Sequence, residues 1–298
     1  MIKNFIKNLL GINQAKDQNG KPDPAPELEA ETETADPLPV ERKFMSDEQE
    51  WIASHYIDCI NQTREFTGFD FTQAAMLDVG CGDCLISYGF LNLPIKKLVG
   101  LDIVPEEKKN LGGLPGRIAG AGFEPPAELD RFQHVHYDGG NFPFKEETFD
   151  FIFSWSAFEH IKNVDQVLRE IYRVLKQDGL CYIQVYPWYP SFHGSHLTDY
   201  IKEDFFHLKK EKAEIRQWLN DIAEKAPEKK DFLINHLWPE FLSLNGFSAD
   251  MFYRAVQKAG FKVAKARLIS FDQDLRQAPA NYSLSELMIS GTMMLLEK

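Results

Sequence analysis

Apolar residues along this chain follow two alternating rhythms. Compact runs stand at AAMLDV (74–79), KKLVGLDI (96–103), FDFIFSW (149–155) and LCYIQVYP (180–187), with a weaker one at FQHVHYD (132–138). Runs of this length, bounded by Gly, Pro or charged residues, predict strands, and unbroken apolarity predicts strands buried on both faces. Between them a helical spacing recurs. Ser46-x-x-Gln49 forms a capping box, so a helix is expected from Ser46 to about Thr63, with Trp51, Ile52, His55, Tyr56, Cys59 and Ile60 on one face. A second begins near Asn163 and gathers Val167, Leu168, Ile171, Tyr172 and Leu175, with Gly179 expected to close it in a left-handed turn. Strands alternating with helices indicate a parallel sheet covered on both faces.

Toward the end, Ser248 is expected to cap a helix reaching Gly260, and FKVAKARLIS (261–270) reads as a strand. Ser283-x-x-Glu286 starts a short helix ahead of a last strand, GTMMLLEK. The sixty residues 188–247, from WYPSFHGSHLTDY to the vicinity of HLWPEFLSLNGF, exceed what the sheet needs and read as a helical lid insertion. At the other end, Ile2, Phe5, Ile6, Leu9 and Leu10 share a helical face opposite Lys3, Asn4, Lys7 and Asn8. Residues 1–12 are therefore expected to be a short amphipathic helix or tail, with weak docking on a membrane or protein as its candidate role.

Composition sharpens this division. Six acids and no base lie between Glu27 and Glu41 in a Pro- and Ala-rich run, so residues 13–44 read as a disordered acidic linker, leaving 45–298 as the folded domain. A net charge of −12 argues against nucleic acid as the partner. No apolar run approaches the ~20 residues of a membrane span, and Lys7 and Asn8 interrupt any secretory signal core. Four irregularly spaced cysteines suit a reducing cytoplasm.

Ligands of such sheets bind at the carboxyl ends of the strands, where Asp78, Asp102, Asp138 and Trp155 all fall. Gly80 and Gly82 permit a tight turn with close backbone approach. A dinucleotide fingerprint would need glycine at position 85, which is Leu, and Asp78 would be badly placed beside a pyrophosphate. A ligand carrying an ammonium group and a ribose suits these acids better, with Asp78 near the ammonium and Asp102 accepting from ribose hydroxyls. Cys81-x-x-Cys84 has redox or half-zinc spacing, but Cys59 and Cys181 supply no second pair, and the element order is not thioredoxin-like. No metal ligands are expected.

MLDVGCGDC, LVGLDI, YDGGNFPFKEETFDFIFSWSAFEHI and VLREIYRVLKQDGLCYIQVYP resemble successive motifs of the class I S-adenosylmethionine-dependent methyltransferases, most closely the type 11 group, over about residues 73–187. The resemblance implies a Rossmann-like, doubly wound α/β fold: a mostly parallel seven-stranded sheet with an antiparallel last strand. It implies S-adenosylmethionine as cofactor. Asp78, Gly80, Cys81 and Gly82 would then surround its methionine part, Asp102 its ribose and Ile103 a face of its adenine. Asp138 and Gly139 would meet the adenine edge, while Ser154 and Trp155 would lie beside the methyl group, with Glu159 and His160 as the pair that follows. Two departures stand out: Cys84 where the family has a third small residue, usually Gly, and 35 residues between Asp102 and Asp138, expected to form a loop or broken helix.

Methyl transfer needs an aligned acceptor, excluded water and often a base. His193 and His196, flanking Gly194-Ser195, are candidate bases, with Asp199 or Glu159 to orient one of them; His160 is a third. Tyr186, Trp188, Tyr189 and Phe192 either stack on an acceptor or form the lid's own core. The resulting expectation is methyl transfer to a small-molecule or glycan-type acceptor, at oxygen. The alternatives are a non-catalytic S-adenosylmethionine-binding regulatory or assembly protein and, more remotely, a nicotinamide oxidoreductase.

Overall fold

A computed structural model describes residues 46–298. The expectations for residues 1–12 and 13–44 lie outside the described residues.

The Ser46 capping box forms as expected, its hydroxyl accepting from Gln49 N and Gln49 Oε1 accepting from Ser46 N. The helix runs as α1 (Asp47–Ala53), a π-helical turn (Ser54–Asp58) and α2 (Cys59–Thr67), closed by Gly68 in the left-handed region. The elements that follow are β1 (Ala75–Val79), α3 (Leu85–Phe90), β2 (Lys97–Asp102), α4 (Leu114–Gly120), β3 (Phe132–His136) and β4 (Phe149–Trp155). Next come α5 (Val164–Val174) and β5 (Leu175–Val185), then, after the insertion, α9 (Ala249–Lys258), β6 (Lys262–Ser270), α10 (Leu284–Met288) and β7 (Ile289–Glu297). Within the insertion lie α6 (Phe206–Lys209), α7 (Lys212–Lys225) and α8 (Trp238–Ser243), with a π turn at Phe232–Leu237.

The seven strands lie in the order β3-β2-β1-β4-β5-β7-β6, and β7 runs antiparallel to both neighbours while β1 to β5 pair in parallel. Two apolar layers cover the two faces. One packs α1 to α4 through Ile52, Tyr56, Ile60, Leu85 and Phe90 onto Met76, Phe151 and Phe153. The other packs Val167, Leu168 and Ile171 of α5 and Phe252 and Val256 of α9 onto Leu77, Val99 and Ile152. Alternate strand residues go to opposite layers, so Met76 and Leu77 part company, as the two-residue period of a strand requires.

The insertion is a helical excursion with a core of its own, built from Leu197, Ile201, Phe206, Ile215, Leu219, Leu233, Leu237 and Phe241. It leaves and rejoins the domain at one point, where Tyr189 N donates to Phe247 O at 3.2 Å. The 35-residue interval contains two 3₁₀ turns (Glu106–Lys108, Leu111–Gly113), α4 and a third turn at Leu129–Arg131: a broken helix, as expected.

Two local expectations change. Gly179 is not a left-handed helix cap. Helix α5 ends at Val174, because Leu175 is already extended and paired with Phe149 of β4. Gly179 is instead required by close approach: an added Cβ would lie 2.8 Å from Leu175 Cδ1 and 3.0 Å from Asp150 O. Trp188 belongs neither to an acceptor pocket nor to the lid's core. It is fully buried in the second layer against Phe252, with Nε1 donating to Thr292 Oγ1 at 3.2 Å. Among the described residues no helix is long and apolar enough to cross a membrane.

Candidate active site

The loop after β1 is shaped by backbone conformation. Gly80 has φ 76°, and an added Cβ would stand 2.6 Å from Ala157 Cβ on the loop after β4. Only glycine fits there. Gly82 is also left-handed, at φ 52°, but opens onto free space, leaving its backbone accessible. Cys84 has φ 65° as the residue that starts α3, which explains why glycine is usual at that position. The thiols of Cys81 and Cys84 lie 3.5 Å apart, both buried, and Cys81 is pushed well above the usual thiol range, chiefly by its contact with Cys84 and by burial. A thiolate nucleophile is disfavoured in such a setting.

Asp78, at the end of β1, is 3% exposed and accepts a 2.5 Å hydrogen bond from Ser87 Oγ of α3. Burial pushes its carboxyl up to about 7, and neighbouring Asp102 adds to the shift. Asp102 ends β2. Its Oδ2 accepts from Gly82 N at 2.8 Å and its Oδ1 from Val104 N at 2.8 Å, so the carboxylate is fixed over the glycine loop. Lys109, which no motif marks, places Nζ 3.1 Å from Asp102 Oδ2 and donates to Gly82 O. Beyond this acid, Ile103 is 61% exposed, and Gly139 (φ 84°) approaches it closely enough that an added Cβ would touch Ile103 Cγ2 at 3.8 Å. The exposed Asp138 folds back to accept from Gly140 N at 2.9 Å. Ile103 and Gly139 thus lie side by side beyond β2, with the acid next to them.

At the next strand the two expected residues have different fates. Ser154 is fully buried, and its hydroxyl donates to Val79 O at 2.7 Å, so it ties β4 to β1 and offers no side-chain group to a ligand. Trp155 is half-buried, its Nε1 donating to Thr63 Oγ1 at 3.3 Å and its ring 5.9 Å from that of Tyr182. Tyr182 and Gln184 share one face of β5 by their two-residue spacing, and Tyr186 follows just past its end. Ser156 Oγ donates to Gln184 Oε1 at 3.0 Å, leaving Gln184 Nε2 and Tyr182 Oη buried without partners.

The lid's histidines separate. Gly194 sits in a tight turn, where a Cβ would lie 2.0 Å from Tyr189 O, and His196 is left-handed at φ 59°. The rings of His193 and His196 consequently meet different partners. His193 lies among Tyr186 (6.0 Å between ring centres), Phe192 (5.0 Å) and Phe271 (5.5 Å), with Nδ1 buried and unpartnered. Burial lowers its pKa, partly offset by Asp199, so it is neutral at pH 7. His196 instead stands beside His160, ring centres 5.4 Å apart, and both approach Glu159. Tyr189 turns to the lid, donating to His207 O at 3.1 Å. Phe271, just past β6, joins His193 in this cluster although no sequence motif marks it.

A family profile described as a methyltransferase domain matches residues 77–183, from β1 to β5. This is a class I, S-adenosylmethionine-dependent methyltransferase domain. The methyltransferase domain is 34% identical over 107 residues to the sterol 4-C-methyltransferase strm-1 of Caenorhabditis elegans, covering 35% of this chain and 28% of that protein. It is 30% identical over 100 residues to the demethylmenaquinone methyltransferase of Lactobacillus johnsonii, covering 34% of this chain and 38% of that one. The match thus spans about a third of each of these relatives. In fold, the chain is similar to phosphoethanolamine N-methyltransferase 2 of Haemonchus contortus, with TM-score 0.51, 15% identity, and coverage of 84% of this chain and 56% of that one. The acids at the ends of β1 and β2 have chemistry that suits this cofactor: Asp102 is a fixed carboxylate, as a ribose diol would require, and Asp78 a buried acid, as an ammonium group would require.

Proposed function

We propose that this chain methylates a small-molecule acceptor at oxygen, with His193 as the base. The observation that carries this reading is the enclosure at the edge of β5: an unpartnered imidazole nitrogen, neutral at pH 7, surrounded by Tyr186, Phe192 and Phe271. S-adenosylmethionine supplies an electrophilic methyl group on a sulfonium. Asp78 would hold its ammonium, Asp102 its ribose, and Ile103 with Gly139 its adenine. Trp155 and Tyr186 would wall the path to the acceptor, and the lid would exclude water. His193 Nδ1 would take the proton of an acceptor hydroxyl; a neutral imidazole does this efficiently near neutral pH.

The aromatic walls favour a planar or alicyclic acceptor, a glycan-type ring included, over a macromolecule. The two relatives, named for a sterol and for demethylmenaquinone, support a small acceptor. The net charge of −12 speaks against nucleic acid. The test is an acceptor screen read by S-adenosylhomocysteine formation, followed by His193→Ala. We expect kcat to fall about 10²–10⁴-fold while S-adenosylhomocysteine binds as in the wild type. Unchanged turnover in that variant would remove His193 as the base; a chain that binds the cofactor but methylates nothing would favour the regulatory alternative.

A further inference from the structure

A second cluster lies where the lid meets the loop after β4. Glu159, His160 and His196 each present one donor atom, and these atoms all lie within 4.8 Å of one another. Glu159 is 2% exposed, yet neither of its carboxylate oxygens has a hydrogen-bond partner, and His196 Nε2 is equally buried and unpartnered. A buried carboxylate with nothing to accept from is costly, and a native chain retains one only where something compensates it.

The neighbours decide which histidine nitrogens are free. Ser243 Oγ donates to Glu240 O at 2.6 Å, so its contact with His160 Nδ1 at 2.7 Å must be one in which the ring N–H donates. His160 Nε2 therefore carries a lone pair. Glu240 Oε1 lies 3.4 Å from His196 Nδ1, which favours the N–H there and leaves the lone pair on His196 Nε2. Each imidazole is thus oriented by an oxygen on α8, the arrangement that fixes metal-bound histidines. Asn245 secures the loop by donating from Nδ2 to Phe158 O (2.6 Å) and Ile161 O (2.7 Å) and from its backbone to Glu159 O (2.8 Å).

We propose that Glu159, His160 and His196 bind one divalent cation of the zinc class, fastening the lid to the methyltransferase domain. Two imidazole nitrogens and one carboxylate suit zinc and its first-row neighbours and leave a coordination position open. Tetrahedral ligation at about 2.0–2.1 Å sets donors about 3.4 Å apart, so the cage is slightly open and a cation would draw it in. His196 belongs to the lid and Glu159 and His160 to the domain, so the bound ion would join the two. The sequence did not expose this set, because 35 residues separate His160 from His196 and only folding brings them together.

The test is calorimetric titration of Zn²⁺ into the full chain after chelator treatment, paired with the visible spectrum of the Co²⁺ form. The expected result is one tight equivalent, a low-symmetry Co²⁺ spectrum, and zinc-dependent protection of residues 188–247 from proteolysis. Glu159→Gln and His196→Gln should abolish all three, while Ser243→Ala, which touches no metal, should weaken binding about 10–100-fold. If Glu159→Gln fails to fold, His196→Gln at the lid side carries the same expectation. His236→Gln, a surface histidine beside Asp231, should change nothing. Absence of a tight equivalent, a Co²⁺ spectrum of the hexa-aqua ion alone, or loss of binding in His236→Gln would overturn the proposal. It does not depend on the methyl acceptor: S-adenosylhomocysteine binding in the same preparation reports separately on the cofactor reading.

Discussion

The acid at the end of β1 gives the sharpest quantitative expectation. Asp78 is buried and its carboxyl is pushed up from 3.8 to about 7, chiefly by loss of solvent. Three pH units at 1.36 kcal/mol each amount to about 4 kcal/mol held against ionisation. A raised pKa means that the folded chain holds this proton more tightly than the unfolded one. The stabilisation from it is complete below about pH 3.8 and is lost as pH rises to about 7. A ligand ammonium needs the charged form. Cofactor affinity should therefore rise about tenfold per pH unit up to about 7 and then level off. Calorimetry with S-adenosylhomocysteine, in buffers of different ionisation heat between about pH 5.5 and 7.5, reads both the slope and the proton released. Asp78→Asn should flatten the slope, bind more weakly than the wild type at the upper end, and approach it at the lower. A wild-type Kd constant within about twofold over that range, or an unchanged slope in Asp78→Asn, would refute the placement of the ammonium group at this acid.

Other perturbations separate roles within the same site. Asp102→Ala removes two charge-assisted acceptor positions and should weaken S-adenosylhomocysteine about 100-fold by calorimetry. Lys109→Met should do the reverse, raising affinity severalfold by freeing Asp102 Oδ2 while lowering stability by about 1–3 kcal/mol in urea melts, because a buried carboxylate loses its counter-charge. Gly80→Ala should destabilise by about 2–4 kcal/mol through backbone strain and the clash with Ala157, whereas Gly82→Ala, which meets open space, should cost only about 1 kcal/mol. In the native protein none of the four buried thiols should react quickly with a thiol-specific chromogen, and all four should react once unfolded.

Where local chemistry dictates structure, the sequence predicted it closely. FDFIFSW became β4 without a shifted residue, and the serine capping boxes at Ser46 and Ser283 start helices because each satisfies its own end groups. Gly179 does not end α5, because pairing with a strand remote in sequence, Leu175 against Phe149, ends the helix before it. The glycine loop and the acids at the ends of β1 and β2 could be placed from the sequence because contiguous motifs build them. Side-chain partners across elements could not. Lys109 reaches Asp102 only through the broken helix, Ser154 spends its hydroxyl on β1, and a left-handed residue at His196 sends two histidines three residues apart to separate neighbourhoods. None of these has a sequence period or spacing of its own.

The hydrogen bond from Tyr189 N to Phe247 O, where the two ends of the insertion meet, has an evolutionary consequence. A segment that begins and ends at one point, and fills its own interior, is a cassette within the host sheet. Doubling such a loop costs the host only about 0.6 kcal/mol in closure entropy, so its length and sequence can drift without loosening the cofactor half. Changes in the insertion can then be selected independently of the sheet that carries the glycine loop. Exchanging residues 190–246 between homologous chains at that junction should move specificity as a unit.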